Sequence, residues 1–257
     1  MKPLAELEAS GVTALLFDID DTLTTAGKLT AAAYAALERI KVAGRRVVAV
    51  TGRPAGWCDH IARMWPIDAV VGENGAFYFV YDQGRLHKRY LDDAATRARR
   101  REQLAGLAGK ILAHVPGTAL ASDQPYRETD LAIDYCEDVP PLPLEAAERI
   151  AQLMRQAGLT ARISSIHVNG WFGSYDKLAM TQRLFAERFG VDLGAANRQV
   201  VFAGDSPNDA PMFGFFENSV GVANVRRFQG RLAAAPKYVT PQASGAGFAE
   251  LIYHLLK

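Results

Sequence analysis

Residues 12–18 (VTALLFD) form a short, almost unbroken apolar run that stops at an acid. A strand that is apolar on both sides is one covered on both faces, as the inner strands of a parallel sheet are. The run therefore predicts a buried parallel strand that delivers carboxylates at its C-terminal edge, where open α/β sheets bind ligands. Thr30 follows as an N-cap for a helix through Tyr34, Leu37 and Ile40, Gly44 ends that helix, and 46–50 (RVVAV) is the next apolar strand. Further strands are expected at 69–71 and 199–203 (QVVFA), each running into a glycine-bearing polar loop. This β-α-β rhythm predicts an α/β fold around a mostly parallel sheet.

Between about residues 82 and 169 the pattern changes. It predicts a strand at 86–90, a charged helix at 94–112, a strand at 130–135, a PPLP turn, a helix at 144–157 and a strand at 161–169. The expected organisation is a core made of 1–81 and 170–257, with 82–169 as an inserted α+β module. The compact charge run 97–102 (RARRRE) reads as the solvated face of its helix.

The chain has 29 basic and 28 acidic residues among 257, so no global field recruits nucleic acid or an anionic membrane. Any affinity for anions must be local. Cys58 and Cys136 are too few for a disulfide framework, and MKPLAELEAS carries no apolar signal region. A cytoplasmic protein without nucleic-acid or membrane partners is expected.

The chemistry concentrates at the strand ends. Asp18 and Asp20, in DIDDT, follow the first strand, and two carboxylates converging on one site repel unless a cation or proton separates them. Mg²⁺ takes oxygen ligands, keeps waters and binds phosphate. Beside it, one carboxylate can attack phosphorus while the other exchanges a proton with the leaving group and then with water. A second cluster, GDSPND, places Asp205, Asn208 and Asp209 after another apolar strand, so Asp18, Asp20, Asp205 and Asp209 are the expected metal group. Thr51, Gly52 and Arg53 (TGR) could hold phosphate oxygens through a hydroxyl, an open backbone N–H and a helix start. Lys177 stands where the inserted module ends, able to neutralise Asp18 and a phosphoryl group together.

These four stations, in this order and each at an element boundary, resemble the haloacid dehalogenase superfamily of phosphatases. The resemblance covers nearly the whole chain and implies a Rossmann-like parallel-sheet core. The inserted module is similar to the type C2B cap of sucrose-phosphate, mannosyl-phosphoglycerate and Cof-type sugar phosphatases. It implies Asp18 as nucleophile and magnesium ligand, and Asp20 as acid/base giving its backbone carbonyl to the metal. It further implies Thr51 and Lys177 as phosphate-binding and charge-balancing, and Asp205 and Asp209 as ion-holding with Asn208 nearby. One departure is Asp21, where many relatives have glycine. The loop ENGA, with Asn74, is also similar to one common in these members, and is a candidate for touching substrate.

In the last strand of the insertion Ser165, His167 and Asn169 alternate with Ile166 and Val168, a polar stripe suited to substrate hydroxyls. Arg127, Arg162 and Asp134 are further candidates. The expected activity is hydrolysis of a small phosphorylated metabolite, a sugar phosphate or glycosyl-phosphoglycerate, through an aspartyl-phosphate. The alternatives are a C2B phosphomutase and a noncatalytic phosphate-binding protein.

Overall fold

The computed structural model describes residues 1–257. In chain order the strands and helices are β1 (Lys2–Pro3), β2 (Ala14–Phe17), α1 (Ala31–Val42), β3 (Arg46–Val50), α2 (Ala55–Met64), β4 (Ala69–Gly72), β5 (Phe77–Asp82) and β6 (Arg85–Tyr90). There follow α3 (Ala94–His114), β7 (Ala119–Leu120), β8 (Asp130–Asp134), α4 (Leu144–Gln156), β9 (Thr160–Ile163) and β10 (His167–Trp171). The chain ends with α5 (Lys177–Leu184), β11 (Val200–Gly204), α6 (Ala210–Phe215), β12 (Asn218–Gly221), β13 (Tyr238–Val239) and α7 (Ser244–Leu255).

The large sheet has the order β1-β13-β12-β11-β2-β3-β4-β5-β6, parallel from β1 through β4, with β5 and β6 antiparallel at one edge. The central strand β2 is buried along its length, with Leu16 opposite Val48 on one side and Phe202 on the other. Alternation sends Leu15 and Phe17 into the layer under α1, α2 and α7, and Ala14 and Leu16 into the layer under α5 and α6. Covering both faces is what an all-apolar parallel strand demands. Thr30 caps α1 by accepting from Ala33 N at 3.3 Å, and Gly44, at φ +77°, ends it.

The second sheet is antiparallel, order β7-β8-β10-β9, and α3 and α4 pack on it through Leu104, Ile111, Ile150 and Met154. Two details differ from the sequence expectation. Residues 85–90, expected in the inserted module, extend the large sheet instead, pairing with β5 from Phe77↔Tyr90 to Asp82↔Arg85. Gln83 and Gly84, both at positive φ (48° and 75°), make the two-residue hairpin that folds them back. Residues 161–169 are two strands, not one. The Ser164 hydroxyl accepts from the N–H groups of Ile166 (3.3 Å) and His167 (3.0 Å), turning the chain between β9 and β10.

Candidate active site

Asp18 follows β2, Thr51 follows β3 and Asp205 follows β11, so three neighbouring parallel strands end at one place. Lys177 reaches it from the first turn of α5, whose N-cap Asp176 accepts from Ala179 N at 2.9 Å. The Lys177 ammonium donates to Asp18 Oδ1 and to Asp209 Oδ1, both at 2.7 Å, with all three groups buried. The other oxygen of Asp209 accepts from the N–H groups of Asp205 (3.0 Å) and Ser206 (3.2 Å), which closes the GDSPND loop on itself. Asp205 accepts from Thr22 Oγ1 (3.3 Å) and Asn224 Nδ2 (3.0 Å).

One carboxylate oxygen from each of Asp18, Asp205 and Asp209 lies within 4.8 Å of the others. Burial, with Asp209 and Asp20 nearby, pushes the Asp18 carboxyl up to about 8 although Lys177 pulls the other way. Burial and the charges of Asp18 and Asp209 likewise hold Asp205 well above the carboxylate range. Burial works against the Lys177 ammonium too, but Asp18 and Asp209 outweigh it and raise its pKa. Three buried carboxylates against one ammonium leave negative charge uncompensated, and an all-oxygen set suits a hard divalent cation such as Mg²⁺.

Asp20 does not join that set through its side chain. Arg53 Nε lies 3.0 Å from both of its oxygens and Nη2 lies 2.8 Å from Oδ1, turning the carboxylate toward the second sheet. Asp21 sits at φ +55°, the left-handed region where glycine is free, and its N–H donates to Thr24 Oγ1 at 3.1 Å. Thr51 is fully buried; its oxygen accepts from Arg53 N at 3.0 Å, which leaves the hydroxyl proton to be donated elsewhere. Asn208 Nδ2 donates to Asn74 Oδ1 at 3.1 Å, while Asn74 Nδ2 is buried beside Gly52 without a partner.

The second sheet roofs this site. A small cavity of about 10 Å³ lies between Asp18, Asp20, Gly52, Arg53 and Asn208 below and Arg127, Ser164, His167 and Asn169 above. Of the polar stripe, His167 and Asn169 reach the cavity; Ser165 lies in the turn before β10, its hydroxyl buried and unpartnered, and Ser164 takes its place at the wall. Arg127 bridges the layers, donating to Gly52 O (2.9 Å), Asp123 and Asp130. Arg162 lines a different groove, and Asp134 accepts from the N–H groups of Cys136, Glu137 and Asp138 in a turn. Trp171 is fully buried and stacks on Tyr175 at 5.4 Å.

Sequence reasoning missed Glu137 and Asp123, and took in Glu73 only as part of the ENGA loop. Arg53 donates to both Asp123 and Glu137, Glu137 Oε2 lies 2.9 Å from His167 Nε2, and the guanidinium sits 4.4 Å over the Trp57 ring. Asp123 and Glu137 lie 70 and 84 residues from Arg53 in sequence, and no local pattern marks them. Glu73, the first residue of the ENGA loop, is fully buried. Burial, with Asp130 close by, pushes its carboxyl up to about 7 while hydrogen bonds from Thr129 and Glu128 oppose the shift.

Residues 15–98 match the model of the haloacid dehalogenase-like hydrolases. The chain is 25% identical over 248 residues to a phosphoglycolate phosphatase of Methanothrix thermoacetophila, covering 95% of this chain and 97% of that one. Among solved structures, Thermoplasma acidophilum 0175 superposes with a TM-score of 0.70 at 16% identity, covering 95% and 98% of the two chains. The sucrose-phosphatase of Synechocystis sp. PCC6803, solved with sucrose and phosphate, gives 0.62 at 16% identity, covering 94% and 97%.

Proposed function

We propose that this haloacid dehalogenase-like protein is a Mg²⁺-dependent phosphatase of small phosphorylated metabolites that works through an aspartyl-phosphate on Asp18. The observation that carries the reading is the meeting of Asp18, Lys177, Asp205 and Asp209, from three separate stretches of chain, in one buried cluster at the strand ends. On this reading Asp18, Asp205 and Asp209 hold the ion, together with the backbone carbonyl of Asp20. When bound there, such an ion would supply charge neutralisation for these carboxylates and Lewis-acid polarisation of the phosphoryl group.

The Asp18 carboxylate attacks phosphorus in line with the departing oxygen, and Asp20 gives that oxygen a proton. Asp20 then takes a proton from the water that hydrolyses the acyl phosphate. Lys177, the Thr51 hydroxyl and the Gly52 N–H bear on the phosphoryl oxygens, where charge builds as the bond breaks. The second sheet acts as a cap over the reaction, selecting the leaving group and excluding bulk water. The space left between the two layers is only about 10 Å³, room for about one water, so the cap must open to admit substrate. Its walls offer Arg127, His167 and Asn169 to the hydroxyl or carboxylate oxygens of a sugar phosphate, glycosyl-phosphoglycerate or phosphoglycolate.

Inorganic phosphate released from a panel of sugar phosphates, glycosyl-phosphoglycerates and phosphoglycolate, with Mg²⁺ and with chelator, tests this. Asp18→Asn is expected to lower turnover by at least roughly a thousandfold. Isomerised sugar phosphate without phosphate release would mark a mutase instead, and undiminished release by Asp18→Asn would sink the proposed nucleophile.

A further inference from the structure

Glu73 makes more contacts across the two layers than its place in a short turn requires. Oε1 accepts from Ala55 N, the first residue of α2, at 2.9 Å and from Glu128 N of the cap at 2.9 Å. Oε2 accepts from Thr129 N at 2.6 Å and from the Thr129 hydroxyl. One fully buried carboxylate thus takes four hydrogen bonds, one from the core and three from the segment entering β8. A buried carboxylate needs its lone pairs occupied, and here the cap supplies most of the donors.

The backbone is equally committed. Glu73 at φ +42° and Asn74 at φ +54° are both left-handed, a conformation costly for side chains of this kind and found where the surroundings impose it. Their N–H groups donate to Arg53 O (3.1 Å) and Thr51 O (3.1 Å), so the turn is tied to the TGR loop. The same turn aims Asn74 at Asn208, the neighbour of Asp209. The segment that Glu73 grips also carries Arg127, which reaches Gly52 O.

We propose that Glu73 is a positioning residue for the phosphatase reaction: its carboxylate latches the cap at Glu128 and Thr129 onto the start of α2, and the strained turn it anchors links cap seating to the Asn74–Asn208 pair. The proposal rests on the phosphatase reading for its kinetic part only. A neutral amide here keeps the shape but turns an N–H₂ toward backbone donors, so Glu73→Gln opens the latch without adding bulk.

Hydrogen exchange followed residue by residue in the full-length protein tests the latch without any substrate. In Glu73→Gln the amides of Glu128, Thr129 and Ala55 are expected to exchange roughly tenfold faster or more, with β11 and β2 as protected as in the wild type. With the best phosphate ester, KM is expected to rise severalfold while kcat changes less, because substrate binding re-closes a loosened cap. Thr129→Val, which removes only the hydroxyl donor, is expected to speed exchange at Thr129 by a smaller factor and guards against failure of Glu73→Gln to fold. Unchanged exchange at Glu128 and Thr129 in both variants, or a uniform increase across the chain, overturns the latch. Loss of all phosphatase activity in the wild type overturns the function and leaves the exchange result standing.

Discussion

Arg53 is the residue whose role the tertiary structure enlarges most. Its guanidinium joins Asp20, at the edge of the large sheet, to Asp123 and Glu137 on either side of β8, with Glu137 lying 84 positions along the chain. Burial works against the Glu137 carboxylate, but hydrogen bonds from His167 and Arg53 prevail and hold it down at about 2. A carboxylate depressed on folding stabilises fully above its unfolded pKa, near 4.5, and loses that contribution as pH falls toward the folded value. Glu137→Gln is therefore expected to cost on the order of 1–2 kcal/mol at pH 6, after allowance for solvent screening of a partly exposed group. Urea unfolding of both proteins at pH 6 and pH 3 checks it: the gap narrows at pH 3, and a constant gap means that the ionised carboxylate is not what Arg53 holds. Asp18 and Lys177 were legible because each sits at the boundary of an element that the sequence announces. The joining of Asp123 and Glu137 to Arg53, and of Glu73 to Glu128 and Thr129, was not, because those partners come from another layer.

At the scale of elements, the start of α5 and the ENGA turn depend on each other. Gly75 has φ +107°, and a Cβ there would stand 2.0 Å from the carbonyl oxygen of Asp176, immediately before Lys177. Gly75→Ala must push the first turn of α5 away from β4, and Lys177 with it. The expected result is a loss of roughly 2–4 kcal/mol in stability and a lower kcat at temperatures where the variant remains folded. Thermal unfolding together with phosphate-release kinetics measures both; an unchanged Tm and kcat would show that the turn and helix do not press on each other. The elements themselves were largely readable. Apolar runs gave β2, β3, β4 and β11, and Thr30 and Gly44 bounded α1. Where the reading went astray, a tight turn decided the outcome: Gln83-Gly84 returned β6 to the large sheet, and Ser164 split β9 from β10.

For the whole molecule, three buried acids at one sheet edge repel one another. Mg²⁺ at about a hundred times its Kd is expected to stabilise the protein by about 2.7 kcal/mol, seen as a Tm that climbs with Mg²⁺ concentration. Asp205→Asn removes one repelling charge and one proposed ligand together, so its Tm in chelator is expected to exceed the wild type's, with the response to Mg²⁺ weakened. A variant less stable than the wild type in chelator would show that the hydrogen bonds from Thr22 and Asn224 outweigh the repulsion. No helix in the chain is long and apolar enough to cross a membrane.

The sequence by itself determined the α/β class and the strand ends that carry Asp18, Thr51 and Asp205. Periodicity and local spacing encode which face a residue takes and where an element stops, and these chemical stations sit at such stops. Only the tertiary structure decided that Asp20 turns to Arg53, that His167 and Asn169 but not Ser165 reach the cavity, and that Glu73 grips the cap. Those outcomes depend on donors and acceptors brought together across two sheets. A pairing between distant segments leaves no periodic trace in either one.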